Sequence, residues 1–91
     1  MLIKQLTAET QALMQDTLPE IRHDLERIYE AFRYSDPVSD EMLFDINMKI
    51  EREFAVLKDA VLQGDVELTH SQGANMLALI KERNIICKAS K

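Results

Sequence analysis

From Met14 to Phe32 the apolar residues Met14, Leu18, Ile21, Leu25, Ile28 and Phe32 recur at steps of four, three, four, three and four. That spacing puts them on one side of an α-helix, whereas a strand would scatter them over both faces. Held over nearly three heptads, it is the a/d seam of a helix that packs along its whole length. Leu13 and Tyr29 widen the seam beyond the strip of a two-stranded coiled coil. The predicted helix covers about residues 9–34. Pro19 lies within it, and a proline there removes a backbone hydrogen bond. Either the rod bends, or a second helix starts with Pro19 in its first turn and Asp16 or Thr17 as cap. The seam crosses the proline in register, which favours one bent helix.

The segment Ser35-Asp36-Pro37-Val38-Ser39-Asp40-Glu41 is the clearest break. Pro37 pushes Asp36 out of the helical region, and Asp36 or Ser39 is suited to cap the next helix. That second helix is predicted over about 39–63, ending at Gly64, a glycine suited to the left-handed cap position. Its residues Leu43, Ile46, Ile50, Phe54, Leu57 and Val61 share one face. The turn is short enough to fold this helix back beside the first as a long antiparallel hairpin. Thr69, His70, Ser71, Gln72 and Gly73 read as a polar turn or as the cap and first turn of a third helix over about 72–89. Met76, Leu79, Ile80 and Cys87 form that helix's face, but Arg83 interrupts it, its stem over apolar surface and its head in water. A helix so weakly amphipathic docks loosely or orders on a partner. The expectation is therefore one all-α domain over residues 1–91, resembling a three-helix bundle.

Only two glycines and two prolines punctuate the 91 residues, and the 46% hydrophobic content is too high for a disordered chain. The net charge of −5 disfavours non-specific binding to phosphate backbones. Residues 36–65 carry eight acidic and three basic side chains, against two and four in residues 66–91. This asymmetry suits either a charge-complementary helix contact or an ordinary helix end with cations at its negative pole. The lone Cys87 has no internal disulfide partner, no apolar run approaches the roughly 20 residues that span a bilayer, and no apolar stretch of signal-peptide type comes after Met1. A cytoplasmic protein is expected by default.

No constellation of catalytic spacing stands out. Glu20 and His23 have the i, i+3 spacing of carboxylate-bridged metal bundles, but both face away from the seam. His70 has no second ligand at metal-site spacing, and Cys87 reads as a small core residue. No metal or cofactor is expected. Arg22, Arg27, Arg33, Lys49, Arg52, Arg83 and Lys88 supply the charges with which a small helical mutase stabilises an anionic transition state, yet they form no ordered inward set. Lys81, Arg83 and Lys88 are the only cations a nucleic-acid-reading third helix would offer. The surplus apolar surface is more informative. Phe44, Met48, Ala55 and Leu62 form a second line on helix two that one neighbour cannot cover. Phe44, Met48 and Leu62 are the expected partner contacts, rimmed by Asp45, Glu51 and Asp59. The alternative is that Phe44 and Met48 pack under the third helix. The favoured function is a non-enzymatic adaptor, secretion chaperone or small regulatory subunit that binds a protein partner, including a second copy of itself.

Overall fold

The computed structural model describes residues 2–37 and 41–89. It contains four α-helices and, among the described residues, no strand: α1 (Leu2–Leu13), α2 (Pro19–Arg33), α3 (Phe44–Leu62) and α4 (Val66–Ala89), with a 3-10 turn at Glu41–Leu43 before α3. The all-α bundle expected from the seams is present, with four helices in place of three.

The predicted helix 9–34 is two helices. Leu18 has extended backbone (φ −63°, ψ 146°), as a residue before proline prefers, and Pro19 opens α2, where its missing N–H costs nothing. Asp16 adopts a left-handed φ of 56°, and no side chain caps α2. The chain therefore reverses rather than bends. Ile3 and Lys4 at the start of α1 share a surface cleft with Phe32 and Arg33 at the end of α2, so the two helices run antiparallel. Leu18, read as part of the seam, lies in the exposed reversal. The helix also begins earlier than expected, because Ile3, Leu6 and Thr10 bury one face of α1. The Thr10 hydroxyl donates to the Leu6 carbonyl at 2.7 Å, which lets a polar residue sit there.

The pairing of helices also differs from a hairpin of residues 9–34 with 39–63. α3 packs chiefly on α4, and α2 packs on both α1 and α4. Gln72 Nε2 donates to the Glu53 carbonyl and Arg83 Nε to Asn47 Oδ1, so α3 and α4 are antiparallel. Two hairpins, α1–α2 and α3–α4, thus lie side by side. The Cα atoms extend over 39 × 18 × 15 Å, a long dimension close to the roughly 36 Å of a 24-residue helix.

The α3–α4 turn depends on Gly64, which holds φ +69°. Gly64 N–H donates to the Val61 carbonyl and Asp65 N–H to that of Ala60, a Schellman closure of α3. Asp65 Oδ1 then accepts the Leu68 N–H, capping α4 six residues before the predicted start at 72. The stretch Thr69–Gly73, read as a polar turn or as the cap and first turn of the third helix, lies wholly inside this helix. Ser39, a candidate cap for the second predicted helix, lies outside the described residues; α3 starts after Leu43 with no side-chain cap bond.

The core holds Ile21, Leu25, Ile28 and Phe32 of α2, the expected face of α3 from Leu43 to Val61, and Met76, Leu79, Ile80 and Cys87 of α4. Phe32 and Phe54 meet at a tilted 6.2 Å ring separation. α4 is not loosely docked, for its buried positions Thr69, Gly73, Met76, Ile80, Arg83 and Cys87 keep heptad steps against α2 and α3. Arg83 is 1% exposed and its head does not reach water. Besides Asn47 Oδ1 at 2.8 Å, it donates from Nη1 to the Asp36 carbonyl at 2.9 Å. Burial pushes its pKa below the usual arginine value, while the charge of Asp36 acts in the opposite sense.

Two sets of substitutions test this packing by denaturant unfolding. A Cβ at Gly73 would meet Ile28 Cδ1 at 3.5 Å, ordinary contact, so Gly73→Ala should stabilise by about 0.5–1 kcal/mol, whereas Gly64→Ala at positive φ should cost about 1 kcal/mol. Arg83→Ala should cost about 3 kcal/mol or more, because it opens a cavity and strands the Asn47 and Asp36 acceptors.

Candidate interaction face on the third helix

α3 turns one side to the core and the other to solvent. Its buried side is Ile46, Ile50, Phe54, Leu57, Ala60 and Val61. Opposite, Phe44, Met48, Glu51, Ala55 and Leu62 fall within a strip about 60° wide at 100° per residue, and all five are exposed. Phe44 is 63% exposed, Met48 52% and Leu62 68%. α4 therefore covers neither Phe44 nor Met48. Asp45 and Asp59 are also exposed.

The six residues singled out from the sequence do not form one cluster. Phe44 and Met48 stand one turn apart, with Asp45 beside them. Leu62 is at the other end of the helix, eighteen residues and about 27 Å from Phe44. Glu51 and Asp59 lie between. Met48 also borders an open groove of about 530 Å³ where α3 meets α4, lined by Met42 and Ile86 and flanked by Lys49, Arg52 and Glu82. Met42 was not legible as a contact residue because it precedes the helix in a 3-10 turn, outside the 3.6-residue pattern.

Apart from Lys49 and Arg52, which flank the same groove, the basic side chains do not converge. Arg22, Arg27, Arg33, Lys49, Arg52 and Lys88 are exposed, and Arg83 is committed to Asn47 and Asp36. That burial also removes one of the three cations a nucleic-acid-reading α4 would need, and Gln72 of the same helix is bonded to Glu53. Cys87 is buried, as expected of a small core residue. His23 is exposed in a cleft with Glu20, Arg27 and His70. His70 Nδ1 lies 3.2 Å from Oδ1 of the buried Asp24, tying the start of α4 to α2. Nothing in the sequence marks that pair, whose members are 46 residues apart. Among the described residues no three His, Cys, Asp or Glu side chains stand together as a group able to hold a metal ion, and no helix is long and apolar enough to cross a membrane.

No protein-family model matches this chain, and neither the curated proteins nor the solved structures hold a significant match to it.

Proposed function

We propose that this protein is a non-enzymatic helical interaction module, an adaptor, secretion chaperone or small regulatory subunit, and that the outward side of α3 is its binding face. The observation that carries the reading is the exposure of Phe44 and Met48 one turn apart on a helix whose opposite side already closes the core. A lone exposed apolar side chain is ordinary, but here an aromatic stands one helical turn from a methionine that itself borders a groove lined by Met42 and Ile86. Such side chains supply large, adaptable contacts where proteins meet. Asp45, Glu51 and Asp59 supply charge around them, and the cytoplasm is the compartment that suits a lone cysteine. A second copy of the chain is among the partners, because one patch then serves both subunits.

The test is Phe44→Asp, read by light scattering for mass and circular dichroism for helix content. Phe44 begins α3 outside the core, and an aspartate suits a helix N-terminus, so stability should change by about 0.5 kcal/mol or less while association is lost. A wild-type protein whose association state is indifferent to this substitution does not bind through α3.

A further inference from the structure

We infer that the occupant of the outward face of α3 is the same face of a second copy, laid antiparallel about a two-fold axis that crosses the helix near its middle. This rests on the reading of α3 as a binding face and adds the partner and its register. Phe44 and Leu62 are eighteen residues apart, five full turns, so they point the same way from opposite ends of the helix. An antiparallel copy placed with Phe44 over the other copy's Leu62 matches both large end residues at once. The same register sets Glu51 opposite Ala55. The small Ala55 side chain lets the two backbones approach at the close end of helix packing, about 8 Å.

Charge favours this arrangement on one flank, while on the other Asp45 and Asp59 of the two copies come within about 3 Å along the axis and are held apart only by their sideways placement, about 100° and 60° from the Phe44–Leu62 line. Glu51 and Lys58 both lie on the same flank of the Phe44–Leu62 line, about 20° and 40° from it. In a two-fold antiparallel pair the same flank of each helix meets, so Lys58 comes within about 5 Å along the axis of Glu51 of the other copy, and symmetry repeats the contact. An unstaggered parallel pair instead sets Glu51 level with Glu51 and Lys58 level with Lys58. Lys58 is available for the new contact, because its present bond to Glu9 is a solvent-accessible pair at 3.7 Å. A single helix face of about 28 Å buries area near the roughly 1,000 Å² lower bound of specific interfaces, so the dimer is reversible and forms on concentration.

Sedimentation equilibrium on the whole chain tests the register with Glu51→Lys, Lys58→Glu, the double reversal and Phe44→Asp, with helix content followed by circular dichroism. Each single reversal replaces two attractions by two repulsions and should raise the dimer dissociation constant about ten-fold. The double reversal should return it to within about two-fold of wild type, since the pairs are restored with exchanged signs. Single reversals without effect, or a double reversal as weak as the two losses together, overturn the antiparallel register. If Phe44→Asp still abolishes assembly in that case, α3 remains the binding face in another geometry. A wild-type chain that stays monomeric at every concentration reached overturns the second copy as occupant.

Discussion

Arg83 is the largest side chain that the bundle buries completely, and three separate stretches of chain meet at its guanidinium. Its Nε holds Asn47 near the start of α3, its Nη1 holds the Asp36 carbonyl in the connection from α2, and its own backbone belongs to α4. An arginine stays protonated, so removing it from water carries a desolvation penalty that only good hydrogen-bond geometry offsets. The lowered pKa reports that penalty. The bond to a main-chain carbonyl matters most for order, because it ties down an irregular segment that has no ladder of its own. Nearby, the Ser35 hydroxyl lies 2.8 Å from the Ala31 carbonyl and 2.9 Å from Asn84 Oδ1. The end of α2 is thus fastened to α4 at two adjacent points.

With α4 held in this way between α2 and α3, its composition becomes intelligible. A helix with two covered flanks meets different neighbours along its length, and its buried residues need not all be large and apolar. Gly73 lies against Asp24 and Ile28, where α2 passes close. Thr69 is buried with its hydroxyl unpartnered among the described residues, a cost of about 1–3 kcal/mol that the surrounding packing has to outweigh. His70 supplies a hydrogen bond to the carboxylate of Asp24, which would otherwise be buried on α2 with less compensation. Each of these polar or small residues is placed by a neighbour remote in sequence.

The same packing leaves α3 lopsided. α4, more lightly α1, and Phe32 of α2 cover its inner side, while Phe44, Met48, Ala55 and Leu62 on its outer side stay exposed. Where the inner face is continuous hydrophobe, the outer strip mixes Phe44, Met48, Ala55 and Leu62 with Glu51 and Lys58. That mixture suits a contact that forms and dissolves, in which charge sets register and the apolar residues supply adhesion. It does not resemble a surface permanently removed from water.

Much of this molecule is set by side-chain periodicity. The faces of α2 and α3, the break around Pro37, the stop at Gly64 and the outward line from Phe44 to Leu62 all rest on interactions within a turn or two of helix, which local sequence determines. Tertiary structure decided the rest. The Met14–Phe32 seam keeps its heptad steps across Pro19, yet the chain turns back there, because α1 buries Ile3, Leu6 and Thr10 against α2. α4 keeps heptad steps too, and Met76, Leu79, Ile80 and Cys87 are legible as its face, but Thr69, Gly73 and Arg83 are buried beside them with no hydropathy signal of their own. Periodicity shows that a side must be hidden. Which helix hides it, and whether a buried position accepts a glycine, a hydroxyl or a guanidinium, depends on contacts between residues far apart in the chain.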